Sequence, residues 1–474
     1  MPSLPQHSLT EIAARIADGS ISSEQATAAC LDRIARHDSG ISAFRSIHAT
    51  QALEQARAAD IQRARGLALP LLHGVPLAHK DMFYRQGEES TCGSIIRRGW
   101  KAPVTAEALR RMDQSGSVTL GRLNMSEFAV GPIGLNAHYG PTRNPHNPAH
   151  VSGGSSSGPA AAVAAGFCFG ALGSDTGASI RIPAAACGIV GLKPSLGRIS
   201  TAGTMPLSST LDVVGPVART VADVALLTAI LAAPADSELT TAAHPDILNA
   251  LTSHLPGIRL GVPLGFLAEG LDREIERALQ SAVAMSGALG LTKHHVETSV
   301  FGDAFAIYRD IFGAEASSFH RHYLETRAAD YSPQVRARLL AGQKVSTETY
   351  IAAMRARSRL QQRVMQDVFN QIDVLIAPVL AIPVPTIADV DVGDDPRMME
   401  VVMGFLRLTS GVNVLGLPAL SIPAGFTRNG LPVAIQLIGP PWSESLLLRV
   451  GHALEQAIGI SPLAPLQSDA SHPV

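Results

Sequence analysis

Hydroxyl residues set just ahead of apolar runs mark the first elements of this chain. Ser8-Leu-Thr-Glu11 and Ser22-Ser-Glu-Gln25 each place a serine three residues before a Glu or Gln, ahead of an amphipathic stretch. At that spacing the two side chains satisfy free backbone N–H groups at a helix start, so two helices are predicted. The run LPLLHGVPLAHK, ending at Lys80, is apolar enough for an interior strand. A helix is expected over 105–114 with Gly116 as its stop, then a strand over 118–120. Further strands are predicted at 258–262, 374–377, 419–422 and 433–438, and helices near 271–289 and 444–457. Strands alternating with helices indicate an α/β fold. VADVALLTAILAAPAD has an aspartate toward each end. It falls short of the roughly 18 uncharged apolar residues of a membrane span and reads as a core helix. The stretch MPSLPQHSLTEIAARIADG lacks a basic start and a continuous apolar run, so no secretion signal is expected and a cytoplasmic location is the default.

Candidate chemistry concentrates in three segments: Lys80 in GVPLAHKD, Ser155 in SGGSSSGPAAAVAAG and Ser179 in GSDTGASIRIPAA. Amide cleavage needs a hydroxyl nucleophile, a proton acceptor to activate it and backbone donors for the oxyanion. Serine alone is too weak near neutral pH, and free lysine, with a pKa of about 10.4, is charged there. Burial in a strand would disfavour the ammonium and lower that pKa. Serine–lysine pairs are a known variation on the triad. On its own GGSSSG would also suit a flexible linker. Pro159 fits a first helical turn and 160–165 are strong helix formers, so the loop is predicted to run straight into a buried helix. A phosphate cradle would need a Gly-Lys-Ser/Thr ending that this loop lacks.

These segments resemble the amidase signature family. Its Gly-Gly-Ser-Ser-x-Gly loop before an Ala-rich helix stands here at 153–158, and its Asp-Thr-Gly-Gly-Ser-Ile-Arg-x-Pro-Ala block at 175–184. The two serines are 24 positions apart (179 minus 155), the family's interval between bridging serine and nucleophile, and Lys80 in HKD matches its lysine. Further similarity lies in RLNMSEFA (122–129), CGIVGLKPSLGRIS (187–200), LDVVGPVARTVADVALL (211–227), NVLGLPALSIPAG (413–425) and GLPVAIQLIGPPWSE (430–444), and it covers roughly 8–460. Length alone would suggest about three domains. The resemblance implies instead a single large α/β domain over 66–460, with a central mixed β-sheet flanked by helices on both faces. An N-terminal helical arm over 1–65 would precede it and a frayed tail over 461–474 would follow.

By the same resemblance Ser179 is the nucleophile, Ser155 a proton relay and Lys80 the base, with a cis peptide between Gly154 and Ser155 and Ser156 in support. The N–H groups of Thr176, Gly177, Ala178 and Ser179 would form the oxyanion hole. Ala178 stands where glycine is usual. Its methyl would be strained if the position required a left-handed conformation, and it could crowd the acyl group. Asp175 and Arg181 are expected to pair and hold the nucleophile loop, the rival reading making Arg181 a clamp for a substrate carboxylate. His79 and Asp81 flank Lys80 on the alternate face of its strand and are expected outside the chemistry.

With 38 Lys and Arg against 40 Asp and Glu, the formal net charge of −2 offers no electrostatic lure for nucleic acid. The partner expected is a small-molecule amide, with no nucleic acid and no membrane; a homodimer is compatible. Cys30, Cys92, Cys168 and Cys187 show neither CxxC nor Cys-His metal spacing, so buried reduced thiols are expected, with no metal and no cofactor. His146 and His150 are four apart, but prolines break the segment, so they make no zinc pair on one helix face; HRH at 320–322 reads as surface. Arg355, Arg359 and Arg363 recur every four residues. They suit a solvated helix face or, alternatively, a rim attracting acidic substrates or a partner chain. The segment 382–397 carries no motif and is expected to shape the pocket.

The activity implied is hydrolysis of a carboxylic amide to an acid and ammonia or an amine. The alternative is the A subunit of a tRNA-dependent amidotransferase, releasing ammonia from glutamine for a partner. Ala178 and Ile182 lean against it, since that subunit type usually has Gly and Gln there. A catalytically silent scaffold is disfavoured by the intact Lys80, Ser155 and Ser179.

Overall fold

A computed structural model describes residues 4–232, 245–393, 395, 397–460 and 463–466. Its strands are β1 (Phe44–Ile47), β2 (Pro76–Lys80), β3 (Val118–Leu123), β4 (Gly170–Asp175), β5 (Val190–Lys193) and β6 (Val213–Ala218). They continue with β7 (Arg259–Leu264), β8 (Thr292–Glu297), β9 (Val374–Pro378), β10 (Ala419–Phe426) and β11 (Pro432–Ile438). All join one mixed sheet in the order β1-β3-β2-β4-β6-β5-β10-β11-β9-β7-β8. The strands β2, β4, β5, β6, β9 and β11 are buried at every residue, as a sheet covered by helices on both faces requires. At the edge, β8 is mostly exposed. The architecture is the single α/β domain with a mixed sheet that the sequence implied.

Both predicted capping boxes form. They start the helices Leu9–Ala17 and Ser23–Ile41 through Ser8 with Glu11 and Ser22 with Gln25. Between Ser23–Ile41 and the next helix, Ala49–Ala64, the chain contributes β1, which runs antiparallel to β3 with Phe44 opposite Leu123. The apolar helix Val221–Leu231 lies in the core, and among the described residues no helix is long and apolar enough to cross a membrane. The final residues of its segment, 233–236, lie outside the described residues. So does most of 461–474; within it, the Ala464 N–H donates to the Ala164 carbonyl at 2.9 Å.

Two strands place the chemistry. β2 runs parallel to β4, with Ala78 opposite Ala171 and His79 opposite Leu172, so Lys80 at the end of β2 emerges beside Ser174 and Asp175 at the end of β4. Open α/β sheets bind ligands at the carboxyl ends of parallel strands. Over this region lie the helices Ser299–Phe319, Pro333–Gly342 and Thr347–Asp367, the first packed against both others.

Candidate active site

Lys80 is fully buried, with its Nζ 2.7 Å from Ser155 Oγ and 2.8 Å from Ser174 Oγ. Ser174 in turn donates to Met82 Sδ at 3.0 Å. Burial pushes the Lys80 amine down to about 7, against the opposing pull of Asp175 and Asp212. An amine in that range supplies an unprotonated fraction at neutral pH, which a general base needs.

The serine-rich loop is ordered by its neighbours. The peptide between Gly154 and Ser155 is cis, the Gly154 N–H donates to the Pro132 carbonyl at 2.7 Å, and the Ser126 N–H donates to the Ser155 carbonyl at 3.2 Å. The helix Ser157–Ala164 follows at once and is buried on every side, which its small and, after Ser157, apolar residues permit. Gly158 admits no side chain, because a Cβ would come within 2.5 Å of the Ala43 and Asn124 carbonyl oxygens. Ser156 binds the loop to the strand: its hydroxyl accepts from the Ser174 N–H and donates to the Ser174 carbonyl, both at 3.2 Å. The Ser156 N–H donates to the Ser179 carbonyl at 3.2 Å.

Ser179 is 7 % exposed and opens on a small cavity with Gly131, Thr176, Gly177, Tyr308, Phe312 and Arg338. The N–H groups of Thr176, Gly177, Ala178 and Ser179 donate to no acceptor among the described residues. The next two, of Ile180 and Arg181, are taken by Asp175 Oδ2. Thr176 Oγ1 donates to Asp212 Oδ1 at 2.6 Å. Four free N–H groups at and just before a serine form a donor set suited to a developing oxyanion. Ala178 is not in the left-handed region and is fully buried, so its methyl carries no left-handed backbone strain.

Arg181 Nε lies 3.1 Å from Asp175 Oδ2, and both side chains are fully buried. Its other nitrogens reach Gln436 Oε1, Asn413 Oδ1 and the carbonyls of Gly177 and Thr409. Burial alone would raise the Asp175 carboxyl, but the adjacent guanidinium holds it below the usual carboxylate range. With every nitrogen engaged inside the protein, Arg181 presents no face to a substrate carboxylate. His79 Nδ1 lies 3.2 Å from the Lys80 carbonyl, and Asp81 Oδ2 accepts from Thr91, so both support the backbone around Lys80.

Sequence reasoning missed Arg338. It sits on the helix Pro333–Gly342, half-buried, its guanidinium carbon 5.0 Å from the Phe312 ring centroid, and its buried Nη1 has no hydrogen-bond partner among the described residues. Arg338 and Gly131 also line an adjoining cavity that includes Asp391. The only local signal was its place on the same helix as the buried Val335 and Leu339. Arg355, Arg359 and Arg363 are exposed, and Arg363 pairs with Asp303 at 2.9 Å. His320 is a correction: it is buried, not surface, 2.8 Å from Tyr331 Oη, and burial drives its imidazole down to about 4. His146 and His150 hydrogen-bond separately to the carbonyls of Cys187 and Val384. The four cysteines are free and buried.

A family model described as Amidase matches residues 25–448. The A subunit of glutamyl-tRNA(Gln) amidotransferase from Chromohalobacter salexigens is 39 % identical, over 95 % of this chain and 96 % of that protein. A solved structure of the A subunit of the same amidotransferase from Thermotoga maritima superposes with a TM-score of 0.80 at 29 % identity, covering 98 % of each chain. Another, from a vestigial protein complex bearing on the origins of an s-triazine catabolic enzyme, superposes with a TM-score of 0.87 at 34 % identity, covering 97 % of this chain and 100 % of that one. These relatives overturn the expectation of a small-molecule amide handled without nucleic acid, since the names of two of them put tRNA in those proteins' reaction and make each of them a subunit of a larger enzyme. The net charge of one chain was a poor guide, because an assembly can leave its nucleic-acid contacts to other chains. With the model matching most of its length and a relative this similar across nearly all of it, the chain belongs to the amidase signature family, enzymes that hydrolyse amide C–N bonds.

Proposed function

We propose that this chain is the ammonia-releasing component of a tRNA-dependent amidotransferase, hydrolysing the side-chain amide of glutamine through an acyl-enzyme on Ser179. The observation that carries the reading is Lys80, buried, lowered to about 7 and 2.7 Å from Ser155 Oγ. Neutral Lys80 accepts the proton of Ser155 as Ser155 accepts that of Ser179, whose oxygen attacks the amide carbon. The N–H groups of Thr176, Gly177, Ala178 and Ser179 receive the oxyanion. The C–N bond breaks as the relay returns a proton to the leaving nitrogen, releasing ammonia, and water activated by the same relay then frees glutamate.

Glutamine also carries a carboxylate and an ammonium. Arg338, with its unpartnered Nη1, and Asp391 offer one opposite charge for each in the cavity adjoining Ser179. The buried free thiols suit a cytoplasmic setting. Ammonia release from L-glutamine tests the reading, for the chain alone and combined with the other components of such an assembly and glutamyl-tRNA, with Ser179→Ala as the blank. Glutamine turnover that the added components accelerate is expected. Faster turnover of aliphatic or aromatic amides, indifferent to those components, would overturn it and favour the free amide hydrolase to which Ala178 and Ile182 lean.

A further inference from the structure

Glu127 is 1 % exposed and takes no part in the proton relay, yet its carboxylate is the meeting point of three distant segments. Oε1 accepts from Ser94 Oγ at 2.7 Å and lies 2.9 Å from His138 Nε2. Oε2 accepts from the Ser332 N–H at 2.9 Å and from Ser332 Oγ at 2.6 Å. Ser332 is the N-cap of the helix Pro333–Gly342, which carries Arg338. A buried carboxylate is costly unless its oxygens are satisfied, so this position is held by all of these contacts together.

The residues after Glu127 are held in an uncommon conformation. Phe128 and Ala129 have φ of 50° and 61°, a region sparsely populated by residues with a Cβ. Such conformations persist only where the surroundings over-determine them, and they gather at functional sites. Here the Phe128 ring packs 4.6 Å from His320 and 5.6 Å from Tyr331, centroid to centroid. On the other side Ser126 binds the Ser155 carbonyl, and Ala129 and Gly131 line the Ser179 cavity. The segment therefore touches the bridging serine at one end and the Arg338 helix through Glu127.

We infer that Glu127 is a positioning residue: its carboxylate fixes the start of the Pro333–Gly342 helix against the loop lining the nucleophile's cavity, and so sets where Arg338 stands. Six residues of helix, roughly 9 Å, separate Ser332 from Arg338, short enough for a shift at the cap to move the guanidinium. The inference rests on the glutamine reading for its kinetic consequence and on geometry alone for its structural one.

The test uses Glu127→Ala, Glu127→Gln and, should the alanine variant fail to fold, Ser332→Ala, each in the full chain. Glu127→Ala is expected to raise KM for glutamine at least tenfold with kcat within about threefold, because the group it displaces binds ground state and transition state alike. Labelling of Ser179 by a fluorophosphonate should stay within threefold, and Glu127→Gln, which still accepts from Ser332, should restore KM. Ser332→Ala should shift KM the same way by less. Amide hydrogen exchange over 333–342 should quicken at least tenfold in Glu127→Ala, with 157–164 unchanged. Unchanged KM, a parallel loss of labelling and kcat, or a glutamine variant no better than alanine overturns the inference. If the parent chain turns over no glutamine, the proposed function fails while the exchange measurement still decides the clamp, unchanged exchange over 333–342 overturning it.

Discussion

Lys80 Nζ stands within hydrogen-bonding reach of Ser155 Oγ and Ser174 Oγ at once, at 2.7 and 2.8 Å. A neutral amine has two N–H donors and one lone pair, so donation to Ser174 leaves the lone pair free to face Ser155. Protonation removes that lone pair. With burial holding the amine at about 7, kcat/KM is expected to rise about tenfold per pH unit below 7 and level off above it. A pH profile of glutamine hydrolysis checks this; a limb centred near the free-lysine value would show that burial does not lower the Lys80 amine, and the absence of any limb between about 6 and 11 would remove Lys80 as the base.

Removing single members of the relay separates their roles. Ser179→Ala and Lys80→Ala are each expected to lower turnover by several orders of magnitude, and Ser155→Ala to leave slightly more, since water can stand in for a relay hydroxyl. Ser174→Ala should cost about ten- to a hundredfold in kcat, because the amine keeps its lone pair but loses the acceptor that aims it. Steady-state rates against the Ser179→Ala blank read all four, and parent-like turnover by that blank would displace the nucleophile.

Much of this site was legible because its parts are local. Lys80 ends a largely apolar run, and the helix after Ser155 follows from proline and alanine content, so both stood out without tertiary information. Among the strands that were missed, β4 reads Gly-Ala-Leu-Gly-Ser-Asp with no β-branched residue, and β6 carries Pro216 in its interior. β1 is short and only partly buried at the sheet edge. Arg338 and Glu127 owe their placement to packing between segments about 200 residues apart, which no local periodicity encodes. The partner was misjudged for a related reason, as charge on one chain does not describe an assembly.

The Asp175–Arg181 pair behaves as a unit. Arg181→Ala would leave a buried carboxylate facing Asn413 and backbone alone, at a cost of about 3–5 kcal/mol. Because Asp175 Oδ2 also accepts from the Ile180 and Arg181 N–H groups, the oxyanion loop should loosen with it. Denaturant unfolding and fluorophosphonate labelling should therefore fall together. Stability lost with labelling kept at the parent rate would show that the pair supports the fold without shaping the loop.

Arg338 is the cationic side chain lining the Ser179 cavity, and its buried Nη1 has no hydrogen-bond partner among the described residues. Burial without a hydrogen bond is costly, so the group is expected to be satisfied by what the cavity binds. A hydrogen bond to a charged group contributes about 1.5–3 kcal/mol, which corresponds to roughly 10- to 150-fold in binding. Arg338→Met keeps much of the side chain's length and its packing on Phe312 while removing the charge. It should raise KM for glutamine by that factor with little change in kcat, because the α-carboxylate takes no part in bond breaking. Labelling of Ser179 by a neutral fluorophosphonate should be unaffected. If instead the variant kept the parent KM for glutamine, the cavity would not be reading a carboxylate, and the acid group of the substrate would have to lie elsewhere.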